Sequence, residues 1–210
     1  KGIAENTNAA VKMASGGWIG FLDHDDVLAR DCLYEVLAAA GLNPVKASGV
    51  IAESGQWQEA DVVYTDEDKI SHDGRKHFQP HFKPDYSIDL LRSNNYITHF
   101  FAVKKSLAEK AGGFRGEFDG AQDYDFIFRC TRMAKKVAHM PRILYHWRAS
   151  ADSTADNPES KKYAFEAGKR AIEADLEVCG EAGSVEQSVD YGFYRVKYEV
   201  KGSPLVSIII

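Results

Sequence analysis

The sequence of 210 residues has few cysteines, six prolines, no long apolar run and no excess of positive charge. Its three cysteines lie far apart and form no Cys-x-x-Cys pair, which argues against a disulfide framework and a cysteine-based zinc site. This cysteine usage favours a reducing, cytoplasmic location. No stretch approaches the roughly 18 apolar residues that a membrane-spanning helix needs.

The charge balance is slightly acidic, with 26 Lys and Arg against 31 Asp and Glu and a net charge of -5 at pH 7. A generally basic surface for nucleic acid is therefore disfavoured. An anionic ligand would need a local source of positive charge, such as a metal ion, a helix N-terminus or a few cationic side chains. Apolar residues make up 44% and charged residues 27%, which is typical of a globular protein and argues against intrinsic disorder.

Segments with strand character alternate with segments of helical periodicity along the chain. Strands are predicted at 18–22, 62–64, 97–103, 137–138, 143–147 and 191–200. Helices are predicted at 3–15, 33–40, 104–110, 122–134 and 159–178, with irregular segments at 43–59 and 71–86. This alternation predicts an α/β fold with a mixed, mostly parallel sheet flanked by helices.

Three carboxylates, Asp23, Asp25 and Asp26, lie within four residues directly after the predicted strand 18–22. In open α/β sheets, ligands bind outside the carboxyl ends of strands. Crowded carboxylates repel one another, and a hard divalent ion such as Mg²⁺ or Mn²⁺ relieves that repulsion. Such an ion is commonly bound by carboxylates and substrate phosphates together. The pattern predicts a metal-diphosphate site. The alternative is a solvated turn in which Asp26 or Asp31 caps the next helix.

Further candidate residues lie in the second half of the chain. Asp123 and Asp125 enter a predicted helix, where each is either a first-turn residue or a general base that takes a proton from a hydroxyl nucleophile. His146 is either a hydrogen-bonded structural residue or a metal ligand. Arg148 would pair either with a phosphate or with a nearby acid.

Eight short motifs follow one another along the chain, and their order resembles that of family 2 glycosyltransferases with the GT-A fold. They are Asn6-Thr7-Asn8-Ala9-Ala10, Ala14-Ser15-Gly16-Gly17, Phe21-Leu22-Asp23-His24-Asp25-Asp26-Val27-Leu28, Tyr64-Thr65-Asp66-Glu67-Asp68-Lys69, Phe82-Lys83-Pro84-Asp85, Gly112-Gly113-Phe114-Arg115, Gln122-Asp123-Tyr124-Asp125 and Tyr145-His146-Trp147-Arg148. The likeness is strongest to the O-antigen or rhamnosyltransferase-like subgroup. It covers most of residues 1–178 and implies a GT-A-type, Rossmann-like sheet.

The resemblance implies a role for several acidic residues. Asp23 and Asp25 match the metal- and donor-binding Asp-x-Asp motif of the family. Asp123 matches the catalytic base, and Gln122 stands where the family usually has an acid. The implied cofactor is Mn²⁺ or Mg²⁺.

Three other residues acquire roles from the same resemblance. Asn8 matches a position near the donor nucleotide. Arg148 is assigned to donor binding. His146 resembles the C-terminal metal or diphosphate contact of several GT-A enzymes.

The implied reaction is an inverting, metal-dependent transfer of a sugar in cell-surface polysaccharide synthesis. The donor would be a nucleotide-diphospho-sugar, and the acceptor a hydroxyl of a saccharide or lipid-linked saccharide. A lipid-linked acceptor would place the parent enzyme at the inner face of the cell membrane. The acidic residues 66–68 are expected either to line the acceptor side or to form a solvated loop. The alternatives are an inactive domain that binds a nucleotide sugar or glycan, and a metal-dependent phosphohydrolase.

The resemblance also predicts the domain organisation. Residues 1–178 would be the C-terminal part of a GT-A domain, truncated before its first strand. Residues 179–203 would form a linker that contains a strand. Residues 204–210 would be the first strand of a following glycosyltransferase domain, so the parent would be a tandem enzyme.

Overall fold

The computed structural model describes residues 2–42, 59–149, 162–203 and 205–209. Its helices are α1 Ile3–Met13, α2 Cys32–Ala39, α3 Ile88–Leu91, α4 Lys105–Lys110, α5 Gln122–Met133 and α6 Lys162–Cys179, with a 3₁₀ helix at Gly116–Phe118. Its strands are β1 Trp18–Phe21, β2 Val27–Leu28, β3 Val62–Ile70, β4 His77–His81, β5 Phe101–Lys104, β6 Val137–Arg148, β7 Gly183–Gln187 and β8 Tyr194–Tyr198.

Six strands form one mixed sheet in the order β1-β5-β3-β6-β2, with β4 paired to the second half of β3. The β3–β6 pair is parallel, and the chain between these two strands carries the helices α3, α4 and α5. A parallel pair needs such a long crossover connection. The α/β class and the mixed sheet are thus confirmed. In the described ranges, however, every other pair of this sheet is antiparallel, so parallel pairing is less extensive than predicted.

Apolar side chains cover both faces of β3. Val62 and Tyr64 point into a cluster built with α5 and α6, whereas Val63 points into a cluster built with α2 and β6. Successive side chains of a strand alternate between faces, so a strand covered on both sides reads as a continuous apolar run. Full burial of side chains of this size contributes about 1.5–3 kcal/mol each. The two clusters therefore fix β3 at the centre of the molecule.

Most local predictions are confirmed. The structure has helices near 3–15, 33–40, 104–110 and 122–134, and a strand near 18–22. In the predicted irregular segment 71–86 it instead has β4, which pairs with β3. The predicted loop 43–59 lies, except for its last residue, outside the described ranges.

The predicted strands at 137–138 and 143–147 are one strand, β6. Its register against β3 jumps from Thr65 opposite Met140 to Asp66 opposite Ile143, so Pro141 and Arg142 have no partner in the ladder. Proline lacks the N–H group that a ladder needs and is confined to bulges and edges of sheets. The irregularity at Pro141 made one strand look like two in the sequence.

The strands β7 and β8 form a separate antiparallel hairpin within the predicted linker 179–203. Only the second of these strands had been predicted. The hairpin packs on α6, where the Tyr194 hydroxyl donates to the carbonyl oxygen of Phe165 at 2.8 Å. Residues 205–209 are exposed and lie outside any strand. Within the described ranges, no helix has the length and apolarity to cross a membrane.

Candidate active site

A cavity of about 440 Å³ opens beside the carboxyl end of β1. Aromatic rings form much of its wall, among them Phe21, Phe114 and Trp147. Phe21 packs edge-on against Phe114 with ring centroids 5.3 Å apart. Two carboxylates, Asp23 and Asp123, also line the cavity. An apolar cavity with a few convergent polar groups is the usual form of a small-molecule site.

Asp23 lies two residues after the end of β1 and lines this cavity. Its side chain is 65% exposed, and its Oδ2 lies 3.6 Å from Nε2 of His99. The hydrogen bond from His99 lowers the pKa of Asp23 and outweighs the opposing effect of burial. Asp23 is therefore an ionised carboxylate that can hold a cation or a cationic group.

His99 lies between Asp23 and a second acid, Glu67. Its backbone N–H donates to Oε2 of Glu67 at 2.7 Å, and its ring stacks on Tyr145 with centroids 4.8 Å apart. Burial acts to lower the pKa of His99, but the two acids raise it to about 9. His99 is thus a cation in the cavity wall at neutral pH. The sequence analysis missed this residue, since no local pattern distinguishes it from the six other histidines.

Asp26 joins the turn after β1 to the end of β6. Its Oδ1 accepts the backbone N–H of Arg148 at 2.7 Å, and its Oδ2 accepts the hydroxyl of Tyr145. Burial raises the pKa of Asp26 despite these two bonds. Neither Asp26 nor Asp31 caps α2 with its side chain, because the α2 N-cap position, Asp31, makes no capping hydrogen bond. The capping alternative for this turn is therefore wrong.

A candidate cation site joins this turn to His99. Within the described residues, Asp23, Asp26 and His99 offer ligand atoms that all lie within 4.8 Å of one another. Asp25 stands outside this group, with its half-exposed carboxylate 3.6 Å from Nδ1 of His24. Carboxylate oxygens suit Mg²⁺ and Mn²⁺, and imidazole suits several transition metals. The carboxylates of Asp23 and Asp26 therefore fit a divalent ion, and His99 would have to lose its second proton to join them.

Asp123 lies in the first turn of α5 and lines the cavity. Its Oδ2 accepts hydrogen bonds from Nδ2 of Asn95 at 3.0 Å and from Oγ1 of Thr98 at 3.3 Å. Burial raises the pKa of Asp123, although His99 and the Thr98 hydrogen bond oppose the shift. A carboxylate with a raised pKa is a stronger base than a free one, which suits proton abstraction from a hydroxyl.

Asn8 does not line the cavity. Its side chain instead holds the loop before α5 in place. Its Nδ2 donates to the carbonyl oxygen of Phe114 at 2.7 Å, and its Oδ1 accepts the N–H of Phe114 at 2.7 Å. A Cβ atom at Gly113 would collide with Oδ1 of Asn8, so this close approach requires glycine. Asn8 thus positions Phe114, which does line the cavity.

The structure does not bring His146 to the cation site of Asp23. Nδ1 of His146 lies 2.6 Å from Oδ1 of Asp68, and the same carboxylate binds His77. Arg148 donates from Nε to the carbonyl oxygen of Asp25 at 2.6 Å. Its Nη1 donates to the carbonyl oxygen of His72 at 2.8 Å.

The acids Asp66, Glu67 and Asp68 are buried inside β3, so the expectation of a solvated loop is wrong. Burial is possible because each carboxylate has a charged or polar partner. Oδ1 of Asp66 lies 2.8 Å from Nε2 of His139. Nζ of Lys83 lies 3.8 Å from Glu67, and burial lowers the pKa of this lysine to about 8 against the opposing pull of the acids.

Comparisons with known proteins support the fold. The structure is similar to that of S. aureus TarS 1–349 in complex with UDP-GlcNAc, with a TM-score of 0.54 and 18% identity over 83% of this chain and 47% of that chain. The fold is therefore of the GT-A glycosyltransferase type. Residues 1–112 match the family model "Glycosyl transferase family 2". The chain belongs to this family.

Two curated relatives are similar over nearly the whole chain. The uncharacterized protein y4gI of Sinorhizobium fredii is 37% identical over 99% of this chain and 22% of its own length. The O-antigen biosynthesis protein RfbC of Myxococcus xanthus is 35% identical over 99% of this chain and 15% of its own length. The chain therefore spans about a fifth or less of the length of these relatives.

Proposed function

We propose that this chain forms part of a glycosyltransferase that moves a sugar from a nucleotide-diphospho-sugar to a hydroxyl of a saccharide acceptor. The observation that carries the proposal is the placement of Asp23 and Asp123 in the wall of one aromatic-lined cavity. Asp23 is an ionised acid at a strand end, and Asp123 is a more basic carboxylate. Two acids with pKa values shifted in opposite directions are suited to different tasks.

Asp123 is the general base of the proposed reaction. Its Oδ2, held by Asn95 and Thr98, would accept the proton of the acceptor hydroxyl as that oxygen attacks the anomeric carbon. Attack from the face opposite to the leaving diphosphate inverts the configuration at this carbon in a single displacement. The aromatic wall gives the sugar rings an apolar surface on which to pack and reduces access of water.

Asp23 belongs to the donor side of the cavity. With Asp25 or Asp26 on the same turn, it would hold Mn²⁺ or Mg²⁺ through carboxylate oxygens. Such an ion supplies positive charge to a departing diphosphate. The cationic ring of His99, fixed by Glu67, adds a second positive charge beside Asp23.

The names of similar proteins support the class of substrate. RfbC is an O-antigen biosynthesis protein, and the TarS structure contains UDP-GlcNAc. By analogy we propose cell-surface polysaccharide synthesis from a nucleotide sugar. The tandem arrangement of the parent, with a further domain that begins at residue 204, stays a prediction.

Donor turnover by the full-length protein tests the proposal. The protein would be incubated with a panel of UDP- and dTDP-sugars and a saccharide acceptor, with Mn²⁺ or with a chelator. We expect release of nucleoside diphosphate that requires the metal and falls by about 100-fold or more in Asp23→Asn. Loss of an interaction with a charge that develops in the transition state costs about this much.

Asp31→Asn is the matched control, because Asp31 lies on the same segment but pairs at the surface with Arg142. It should turn over donor like the wild type. Turnover that persists in excess chelator would refute the metal assignment. Binding of nucleotide sugar without any turnover would instead establish the inactive binding domain.

A further inference from the structure

A second cluster of candidate metal ligands joins the strands β3, β4 and β6. Of its residues, only His146 was predicted to contact the donor or its metal ion. Asp68 on β3 stands between two imidazoles, His77 on β4 and His146 on β6. Oδ2 of Asp68 lies 2.9 Å from Nδ1 of His77, and Oδ1 lies 2.6 Å from Nδ1 of His146. The two rings meet edge to face with centroids 4.7 Å apart. All three ligand atoms lie within 4.8 Å of one another.

The chemistry of this set differs from that of the turn after β1. Two imidazoles and one carboxylate are the ligands of borderline transition metals such as Zn²⁺, whereas Mg²⁺ prefers oxygen ligands alone. Zinc commonly takes three protein ligands and keeps a fourth position for water. The site is open on one side, because His77 is 52% exposed while Asp68 is buried.

Two of the three ligands also line a cavity. His77 and His146 face a space of about 390 Å³, together with Arg148. The guanidinium of Arg148 does not compete for Asp68, because its Nε and Nη1 donate to the carbonyl oxygens of Asp25 and His72. A hydrated ion therefore has room beside the imidazoles.

We propose that Asp68, His77 and His146 bind a zinc-type divalent transition-metal ion at a site separate from the donor site. The ion would replace the protons between the carboxylate and the imidazoles and would bind Nδ1 of each ring. It would join three strands, β3, β4 and β6. Because β4 lies at the edge of the sheet, the ion would fasten the β4 hairpin to the strand that ends at Arg148.

The competing explanation is a pair of ordinary hydrogen bonds between histidines and a carboxylate. The neighbouring pair of His81 and Glu67 has that form, with Nδ1 of His81 3.1 Å from Oε1 of Glu67. The set around Asp68 differs from the His81–Glu67 pair because it brings together three ligand atoms, from Asp68, His77 and His146, that lie within 4.8 Å of one another. Metal binding distinguishes the two explanations directly, and it does not depend on sugar transfer.

Zinc affinity of the full-length protein would be measured by competition with a chromogenic chelator. We expect binding by the wild type and a loss of about 100-fold or more in His77→Asn, since removal of an outer partner of a ligand already costs about 10- to 100-fold. His77 is at a half-exposed edge, so the variant should keep its fold by circular dichroism. His72→Asn is the matched control, because exposed His72 lies in the same hairpin without a role in the set. It should bind zinc like the wild type.

Asp23→Asn separates the two sites: it removes a ligand of the donor-side cation site, and the zinc binding that is lost in His77→Asn should persist in it. X-ray absorption at the zinc edge of the wild type gives an answer even if His77→Asn unfolds, and we expect two imidazoles and a carboxylate around the ion. Absence of zinc binding by the folded wild type would overturn the proposal. Unchanged affinity in His77→Asn, or a ligand set without two imidazoles, would do the same.

Discussion

The two acidic clusters of this protein look alike in sequence but have opposite environments. Both come after a mainly apolar strand segment; the first has three acids within four residues, and the second has three in a row. In the turn after β1, the side chains of Asp23 and Asp25 are 65% and 44% exposed. In β3, the side chains of Asp66 and Glu67 are 4% and 10% exposed. Asp23 of the first cluster lines a cavity, whereas the second cluster is part of the sheet.

The difference in burial follows from where the backbone of each segment is paired with a neighbouring strand. The sheet pairing of β1 stops at Phe21, so the acids that come next are left at a strand end. The pairing of β3 continues through its acids, because β6 runs beside it as far as Arg148. A buried acid must be paired or hydrogen-bonded, and histidines and Lys83 provide those partners. Exposed acids at a strand end remain available for a ligand.

Asp123 and Asp125, two residues apart in α5, show the same contrast between a cavity-facing acid and a buried, paired acid. Asp123 lines the cavity, and Asp125 points into the core, where it pairs with Arg115 and Arg129. Nη2 of Arg129 lies 2.6 Å from Oδ2 of Asp125. A substitution at each position would therefore change different properties of the protein.

We expect Asp125→Asn to lower the free energy of unfolding by about 3–5 kcal/mol, which is the usual cost of breaking a buried ion pair from one side. Urea denaturation at neutral pH measures this change. Asp123→Asn is the matched comparison. Because burial raises the pKa of Asp123, the ionised form opposes folding, and a neutral amide should leave stability unchanged or raise it. Equal losses in both variants would contradict this division of roles.

Glu67→Gln should have the next largest effect. Burial acts to raise the pKa of Glu67, but His81, His99 and Lys83 lower it from 4.5 to about 2. A depressed pKa gives stability that is present above pH 4.5 and is lost as the pH falls towards 2. Each pKa unit corresponds to about 1.4 kcal/mol, so the variant should lose about 3 kcal/mol at pH 7.

The pH dependence provides the check on Glu67. In metal-free buffer, the stability difference between the wild type and Glu67→Gln should shrink as the pH falls from 4.5 to 2. A difference that does not vary with pH would show that the carboxylate charge is not its source. His81→Asn removes only a half-exposed partner of Glu67 and should cost less than about 1 kcal/mol.

Local patterns in the sequence were sufficient for β1 and for five of the six α-helices in the described ranges, all but the short α3. The periodicity at 3–15 and 122–134 predicted α1 and α5, because helix formation depends on residues three or four positions apart. The pairing of β3 could not be read in the same way, since its partner β6 begins about 70 residues later. Whether residues 66–68 form a loop or a strand is decided by that distant partner.

Motif order led to Asp23 and Asp123, which the structure places in the wall of one cavity. The same reasoning also linked His146 to Asp23, whereas the structure places it beside Asp68. No sequence motif marked His99 as a site residue. It reaches Asp23 and Glu67 only because β5, which begins two residues after it, lies between β1 and β3 in the sheet. Sheet order of this kind is a long-range property that single motifs do not encode.

The central claim is that Asp123 removes a proton while Asp23 serves the donor. The most direct test measures sugar transfer and donor binding in the full-length Asp123→Asn variant. We predict that transfer falls by about 10²- to 10⁴-fold, the usual contribution of a general base, while the affinity for the nucleotide-sugar donor is unchanged. Asp119→Asn, in the loop just before α5, is the control and should keep its activity. Near-normal transfer by Asp123→Asn would contradict the account.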